Sequence, residues 1–571
     1  MSRRMRAFAF SLLVPGIAAA QQGKELPLKY AGPPTTAPIS AGDLMTRLYV
    51  YADDSLMGRQ FGTVWNEKAT AYIEREARRL GLTPAGDSGG YFQYLPFFVR
   101  AADTASVLDV DGALFRLGAD FLVRNDGRQR KLSGVTPIYV GAQFDTIGMP
   151  SIEAVRGKLL VIRPFVPSAG FNPQVFVRTN GFTTYQKMLA AADGLIAVAG
   201  DQIDSNAVRA ATRPVNGRMI SETDTPLQVN ITTRVARAIF GAPLDSVAKG
   251  AVGKRLSLDA RFVDVRRPAR NVVAILPGSD PKLRGQYVAV GAHNDHIGFR
   301  TSRPADHDSV KVFMQLVRPQ GADNPPTPAT PEQVALVRRM TDSLHTLHGG
   351  ARPDSIYNGA DDDGSGTVSV LEIAEAFVGE KSKPKRSMLF VWHTGEEAGL
   401  FGSAYYTDHP TVSRDSIVAQ LNIDMIGRGR ATDATGESKD GGVLHGGAGY
   451  LQLVGSRRNS TELGDIVEQV NTAGKLGFKF DYGMDANGHP QNFYCRSDHY
   501  EYARYGIPIV FFTTGGHADY HQVTDEPQYI DYSHMAEIAG LVHDIGMKVA
   551  NLDHRVVMDK PKPDPKGSCV Q

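Results

Sequence analysis

The second half of the chain, from about residue 271, alternates short apolar runs with polar tips and helical stretches. The runs are rich in Val, Ile, Leu and Phe, which is typical of strands buried on both faces. The repeated order of strand, polar tip and helix predicts an α/β fold with a mostly parallel central sheet flanked by helices. The predicted strands are Val272–Leu276, Tyr287–Val290, Ser387–Trp392, Ala419–Ile423 and Pro508–Phe512.

Earlier segments show other patterns of apolar and polar residues. Leu44–Leu80 has mainly helical spacing, broken at Met57-Gly58-Arg59. Between about residues 102 and 262, strand-like runs lie between turns, and Tyr185–Ala192 is a helical exception. This middle region predicts an inserted, mainly β domain, and it contains no cluster of His with acids. We therefore expect residues 41–101 and 263–555 to form one domain around the insert at 102–262, with a flexible leader at 21–40 and a flexible tail at 556–571.

Residues 301–356 interrupt the α/β pattern. They contain the Pro-rich stretch Asn324–Pro331 and one predicted helix, Pro331–Leu347. A connection of this length inside a compact domain is usually functional, so we expect it to pass over part of the molecule as a loop or a lid.

Length and charge narrow the class of protein. A chain of 571 residues predicts at least two domains. The formal net charge of +1 disfavours nucleic acid or an anionic membrane as the main partner. The chemistry must therefore lie in local clusters.

The N-terminus predicts export. Arg3, Arg4 and Arg6 precede the apolar run Ala7–Ala20, which ends in small residues. This run is short for a membrane span, so residues 1–20 are interpreted as a signal peptide of a periplasmic or secreted protein, with an uncleaved anchor as the alternative. No other stretch is apolar and long enough to span a membrane.

The two cysteines, Cys495 and Cys569, exclude a disulfide scaffold and a thiolate metal cluster. One bridge would be compatible with an oxidising compartment. Because Cys569 lies in a Pro/Lys-rich tail, the sequence disfavours an ordered bridge.

The segment Asn358–Gly366 places three consecutive acids between glycines, directly before a helical pattern. Three neighbouring carboxylates repel one another, and a hard cation is the simplest way to hold them together. A solvated acidic loop or a helix cap is the alternative for this segment taken alone.

Metal-type ligands recur at the ends of the predicted strands. Each one alone has a simpler explanation as a surface His, a helix cap or a solvated acid, but their recurrence at successive strand ends favours a built site. Ligands in open α/β sheets bind beyond the carboxyl ends of the strands. Two His with three carboxylates suit zinc, and five side chains fit two ions that share one carboxylate. The five candidates are His293, Asp362, Glu397, Asp424 and His521.

Other acids lie next to these candidates. Asp295 and Asp525 follow His293 and His521 closely, and each is predicted to orient an imidazole. In the pair Glu396-Glu397, one acid can bind metal while the other acts as a general base and then as an acid toward a leaving amine.

Five motifs together resemble the M28 family of co-catalytic dizinc aminopeptidases, over about residues 265–552 with the helical start at 40–100. The middle insert is similar to the protease-associated (PA) domain that many members carry, through Val155–Val161 and Ala190–Val198. The motifs, in family order, are His293-Asn294-Asp295, Gly359–Asp363, His393–Glu397, Asn422–Met425 and Tyr520-His521.

The resemblance implies two Zn²⁺ per chain in a zinc exopeptidase-like fold. Asp362 would bridge the ions, with His293 and Asp424 on one and Glu397 and His521 on the other. It also implies Glu396 as the general acid/base and a cis peptide bond between Asp362 and Asp363, which makes Asp363 a neighbour of the ligands.

Two features near residue 495 bear on this resemblance. Tyr494 falls where some members place an oxyanion-stabilising tyrosine, whereas the cysteine pair that flanks it in some members is absent. Arg496 would either meet a substrate carboxylate or pair with an acid, and pairing is the preferred interpretation.

The sequence therefore predicts an exopeptidase that removes N-terminal residues from peptides with a free N-terminus. A glutaminyl cyclase-like acyltransferase, a carboxypeptidase or dipeptidase, and a binding relative without catalysis are the alternatives. The complete ligand set argues against the cyclase and the binding protein, and the absence of an Arg cluster at the strand ends argues against a carboxypeptidase. Side-chain preference and oligomeric state are not predicted.

Overall fold

The computed structural model describes residues 26–123, 130–145, 147–165, 180–212 and 227–571. The predicted signal peptide, residues 1–20, lies outside the described residues. Within the described ranges, no helix combines the length and the apolar character that a bilayer span needs.

The helices carry labels in chain order. They are α1 (Ala41–Tyr51), α2 (Val64–Arg79), α3 (Ile152–Val155), α4 (Asn180–Ala191), α5 (Ser205–Thr212), α6 (Thr233–Phe240), α7 (His307–Val317), α8 (Pro331–His348), α9 (Gly366–Gly379), α10 (Phe401–Asp408), α11 (Thr461–Gly474), α12 (His499–Ala503) and α13 (Tyr532–Ala550).

The strands are numbered in the same way. They are β1 (Thr83–Pro84), β2 (Phe92–Tyr94), β3 (Phe98–Ala102), β4 (Val107–Val110), β5 (Ala113–Arg116), β6 (Phe121–Val123), β7 (Arg130–Val135), β8 (Pro137–Ala142), β9 (Leu159–Arg163), β10 (Gly194–Val198), β11 (Leu227–Ile231), β12 (Leu256–Ala260), β13 (Phe262–Arg266), β14 (Arg270–Leu276), β15 (Tyr287–His293), β16 (Ala305–Asp306), β17 (Pro353–Asp354), β18 (Ser387–His393), β19 (Ile417–Ile423), β20 (Ala434–Glu437), β21 (Val443–His445), β22 (Tyr450–Val454), β23 (Lys479–Asp481) and β24 (Ile509–Thr513).

One large sheet organises the α/β part, with the order β1-β14-β18-β15-β19-β24-β22-β23 and β2 paired to β14. Its four central strands, β18, β15, β19 and β24, are parallel. This confirms the predicted α/β fold with a mostly parallel centre. The flanking pairs β14–β18 and β22–β24 are antiparallel.

Both faces of this sheet are covered, as the continuous apolar runs predict. Successive strand residues point to opposite faces, so Val272 and Ala274 of β14 join one core, and Val273 joins another. Helices α1, α9 and α13 pack on the first face and α10 and α12 on the second. Burial on both faces explains why these strands show no alternation of polar and apolar residues.

The middle region contains two further sheets. A five-stranded sheet has the order β6-β11-β10-β9-β8, and a four-stranded sheet has the order β5-β4-β12-β7. Both sheets contribute to one apolar cluster that includes Val161, Val229 and Leu258. Helix α4 packs on the other face of the five-stranded sheet through Tyr185 and Met188.

The excursion 301–356 contains two helices rather than the single one predicted. The helix α8 was expected, and it begins with a capping box at Thr330 and Gln333. The helix α7 was missed because it begins without a side-chain cap. Its position depends on tertiary contacts, such as that between Lys311 Nζ and Asp519 Oδ2, 2.5 Å apart.

The C-terminal segment was predicted to be a flexible tail without an ordered bridge, and the structure differs. Cys495 and Cys569 form a disulfide bond across 74 positions of sequence. The Gln571 side chain is buried, donates to the Met484 carbonyl and accepts from the Tyr494 amide. Composition identified a polar tail, but it could not show that this tail folds back onto the sheet domain.

The segment before α1 is held in a similar way. Thr36 donates through its amide and hydroxyl to Asp43, and the buried Arg47 side chain donates to the Thr35 hydroxyl. The described residues 26–40 of the predicted flexible leader therefore pack along α1.

Candidate metal centre

The acidic turn precedes α9 and lies at the carboxyl ends of the central strands. Gly359 has φ 55° and begins the turn Ala360–Ser365, in which the Asp362–Asp363 peptide bond is cis. This confirms the cis bond that the family resemblance implies. The Asp361 side chain accepts from the Gly427 amide at 2.6 Å, so the turn is also tied to the loop that follows β19.

One group of ligand-type atoms gathers around the end of β15. His293 Nε2 lies 3.1 Å from Asp362 Oδ1 and 3.6 Å from Asp424 Oδ1. The Ser497 hydroxyl donates to Asp424 Oδ2 at 2.7 Å and so orients this carboxylate. The structure thus brings together the three residues predicted to share one ion.

A second group shares the other oxygen of Asp362. His521 Nε2 lies 2.9 Å from Asp362 Oδ2 and 3.0 Å from Glu397 Oε2. A residue that the sequence analysis missed, His296, joins them with Nδ1 2.6 Å from Glu397 Oε1. The available sequence feature was a second His in the polar tip after β15, three residues beyond His293.

These residues fit metal ions. Several of their polar atoms are buried and meet no hydrogen-bond partner, which is costly in the absence of a ligand. Imidazole and carboxylate donors converging in this way are the usual ligands of zinc. The unpartnered atoms include His293 Nε2, Asp362 Oδ2, Glu397 Oε1 and His521 Nε2.

Burial and mutual contact shift the proton affinities of the cluster. Burial would by itself raise the pKa of Asp362, but the His296, His293 and His521 side chains hold this pKa well below its usual range. Burial opposes protonation of His521, yet Glu397 and Asp362 raise the pKa of this imidazole to about 11. The site thus has a carboxylate-rich character that attracts cations.

Glu396 differs from its neighbour Glu397. Burial, followed by the nearby Asp424 and Glu397 carboxylates, raises the pKa of Glu396 well above its ordinary value. Its carboxylate oxygen Oε2 lies 4.0 Å from His293 Nε2. A carboxyl with raised proton affinity beside a metal centre has the chemistry of a general acid/base.

The three supporting acids make contacts that the sequence did not specify. Asp363 accepts from the backbone amide of His293 at 3.1 Å. His293 Nδ1 lies 3.1 Å from the Asp295 backbone oxygen, whereas the Asp295 carboxylate accepts from the Glu396 amide. The His293 ring thus contacts the Asp295 main chain, and the Asp295 carboxylate that was predicted to orient this ring lies 3.8 Å from Nδ1.

Asp525 was predicted to orient the His521 imidazole, but its carboxylate has other partners. Its carboxylate accepts from the backbone amides of Asp361 and Asp362. The chain turns between residues 521 and 525, and this turn carries the acid away from the imidazole and toward the acidic turn.

A cavity opens beside Glu396 and the two metal-type groups. Tyr520 lines this cavity, but Tyr494 is not among its lining residues. Tyr494 is buried against Tyr500 and His499, with the Arg458 guanidinium over its ring. The structure thus places Tyr520, not the predicted Tyr494, in the lining of this cavity. Four apolar side chains also line the cavity: Met425, Met484, Phe493 and Phe511.

Arg496 closes part of this cavity. Its guanidinium pairs with Asp323 of the 301–356 excursion at 2.9 Å and approaches the Tyr520 hydroxyl at 3.4 Å. The expected pairing of Arg496 with an acid is thus confirmed, although the pair lies at the cavity rather than on an open surface. The excursion contributes a wall of the site through Asp323.

A mostly parallel sheet with His and carboxylate side chains gathered at its strand ends defines an α/β protein with a candidate metal centre. Residues 271–545 match the model of peptidase family M28. This part of the chain therefore belongs to peptidase family M28.

The curated relatives that the chain matches are named as aminopeptidases. Residues of the chain are 30% identical over 201 positions to leucine aminopeptidase 1 of Paracoccidioides brasiliensis strain Pb03, covering 33% of this chain and 46% of the relative. Leucine aminopeptidase 1 of Colletotrichum graminicola is 29% identical, covering 40% of this chain and 59% of the relative. The chain thus spans about half the length of the curated relatives it matches.

Two solved structures align over most of the chain. The aminopeptidase from Aneurinibacillus sp. strain AM-1 aligns with a TM-score of 0.44 and 16% identity, covering 92% of this chain and 97% of that one. A zinc aminopeptidase from Bacillus subtilis aligns with a TM-score of 0.43 and 16% identity, covering 90% of this chain and 95% of that one.

Proposed function

We propose that this protein is a dizinc aminopeptidase that hydrolyses N-terminal residues from peptides. The observation that carries the proposal is the sharing of Asp362 between two groups of buried ligand atoms, His293 with Asp424 and Glu397 with His521. A bridging carboxylate between two ligand groups is typical of paired metal ions. The family match and the relatives named leucine aminopeptidase support this reaction class.

The metal ions, when bound, would supply Lewis acidity toward the scissile carbonyl. Glu396, whose pKa is raised by burial, takes a proton from the attacking water and returns it to the leaving amine. Tyr520 lines the cavity, and its hydroxyl can donate to the developing oxyanion. The carboxylates of Glu396 and Asp424 also give the cavity a negative character that suits a substrate ammonium group.

The cavity favours an apolar N-terminal side chain. Its lining by Met425, Met484, Phe493 and Phe511 offers a pocket in which a Leu, Met or Phe side chain loses contact with water. We therefore propose that the enzyme prefers large apolar residues at the N-terminus of its substrate.

We further propose a periplasmic or secreted location and a PA-like inserted domain at residues 102–262. The disulfide between Cys495 and Cys569 supports an oxidising compartment. The separate apolar cluster formed by the two sheets of the middle region supports an inserted unit.

The test uses a mixture of peptides with free, N-acetylated and N-terminal Gln starts, incubated with zinc-loaded protein and followed by mass spectrometry. Stepwise loss from the free N-termini alone is expected, fastest for Leu, Met and Phe. Glu396→Gln should lower kcat by about 10²–10⁴-fold while zinc content stays at that of the wild type.

Other products would change the assignment. Trimming from the C-terminus would indicate a carboxypeptidase, and cyclised Gln without cleavage would indicate an acyltransferase. Wild-type protein that binds no zinc would remove the basis of the enzyme proposal.

A further inference from the structure

We infer that His296 is a metal ligand, the second imidazole of the group that contains Glu397 and His521. This inference rests on the proposed dizinc function. It extends the five-residue ligand set to six, and the two metal positions then differ in their number of imidazole ligands.

The distances around His296 suit a shared ion. Its Nδ1 lies 2.6 Å from Glu397 Oε1 and 3.6 Å from Asp362 Oδ2. His521 Nε2 lies 2.9 Å from the same Asp362 Oδ2 and 3.0 Å from Glu397 Oε2. Ligand atoms about 2.0–2.1 Å from a tetrahedral zinc are separated by about 3.3 Å, which falls within this range.

The environment of the His296 ring is not that of an ordinary core histidine. The side chain is fully buried, its Nε2 has no hydrogen-bond partner, and its Nδ1 faces the Glu397 and Asp362 carboxylates. An imidazole nitrogen that faces the same two carboxylates as His521 Nε2 lies where a further ligand of one shared ion would lie. The acid nearest to the ring, Glu397, is itself in the ligand group.

The backbone makes room for this ring. A Cβ atom on Gly359 would lie 2.5 Å from His296 Cγ and 2.6 Å from Cδ2, and the positive φ of Gly359 is also one that other residues rarely adopt. The glycine that begins the acidic turn therefore permits the imidazole to reach the carboxylate of the same turn.

The consequence is an asymmetric pair of metal positions. The first would have one imidazole, from His293, with Asp362 and Asp424, and so keeps an open coordination position. The second would have two imidazoles and two carboxylates, which is a complete tetrahedral set. We expect the second position to bind zinc more tightly and to fill first.

The decisive measurement is zinc X-ray absorption spectroscopy of the wild-type protein loaded with two ions, which needs no variant. We expect the two zinc ions together to have three imidazole ligands, from His293, His296 and His521, and not only the two of the five-residue set. Two imidazoles would overturn the inference while leaving the proposed function standing, whereas a wild-type protein that binds no zinc would overturn both.

Variants give a second readout through zinc affinity by chelator competition. His296→Ala and His296→Asn should both lower the affinity for one of the two zinc ions by more than about 100-fold. Residues that only orient a ligand typically change this affinity by about 10–100-fold. If His296 only donates a hydrogen bond to Glu397, the Asn amide should restore affinity, and that rescue would overturn the inference.

His393→Gln is the matched control. His393 is equally buried and ends the neighbouring strand β18, but its Nε2 faces the Tyr502 hydroxyl at 3.1 Å. Its substitution should leave both zinc affinities unchanged, and circular dichroism checks that all three variants are folded.

Discussion

The Asp525 carboxylate accepts hydrogen bonds from the backbone amides of Asp361 and Asp362, at 3.0 and 3.1 Å. The segment after β24 thus holds the acidic turn whose Asp362 carboxylate lies between the two ligand groups. Because one acid fixes two consecutive amides, the position of the shared carboxylate depends on a residue that belongs to neither ligand group.

We therefore expect Asp525→Ala to lower zinc affinity by about 10–100-fold, in the range for residues that support metal ligands. Chelator competition measures the change. Asp531→Ala is a control, because the Asp531 side chain caps α13. This substitution should cost about 1 kcal/mol of unfolding free energy and leave the zinc affinity unchanged. Wild-type zinc affinity in Asp525→Ala would contradict this account.

Variants of two tyrosines distinguish the oxyanion group that the family resemblance implies, Tyr494, from the one proposed from the cavity lining, Tyr520. Tyr520→Phe should lower kcat by about 10²–10³-fold, the effect of removing one oxyanion donor. Tyr494→Phe should change kcat little, because Tyr494 does not line the cavity. Steady-state kinetics on a leucine anilide substrate compares the two variants, and the opposite order of effects would restore Tyr494 to the catalytic assignment.

The disulfide links the C-terminal segment to the residues beside the cavity. The double variant Cys495→Ala/Cys569→Ala should lose about 2–4 kcal/mol of unfolding free energy, because the bridge closes a long loop with a separation of 74 residues. Denaturant titration measures the loss. Reducing agent should destabilise the wild type but not the variant, and equal sensitivity of the two would contradict a formed bridge.

Glu526 makes stability depend on pH. Burial, then the Asp354 and Asp54 carboxylates, raises the pKa of Glu526 to about 8 from an ordinary value of 4.5. The folded state therefore binds more protons than the unfolded state, and the contribution of Glu526 is lost as pH rises from about 4.5 through about 8. Glu526→Gln should gain about 1 kcal/mol relative to wild type at pH 8.5 and almost nothing at pH 4.

Urea unfolding of both proteins at pH 4, 6 and 8.5 checks this. A stability difference that does not grow with pH would show that Glu526 stays ionised in the folded protein.

The parallel sheet was predictable because strands buried on both faces leave continuous apolar runs in the sequence. The candidate ligands His293 and Glu397 were predictable because each lies in a polar tip after an apolar run, and Asp362 because it lies in an acidic turn before a helical pattern. Helix α7 was not, since it begins without a side-chain cap and depends on distant partners such as Asp519 for its position.

The sequence by itself determined the fold class and which polar tips carry ligand-type residues, because strand periodicity and chain order place those tips at one edge of the sheet. Only the tertiary structure decided which side chains meet. It turned Asp525 toward the acidic turn, brought His296 beside Glu397, and placed Tyr520 rather than Tyr494 in the cavity. These contacts depend on the directions in which loops return to the sheet, and local residue patterns do not encode such directions.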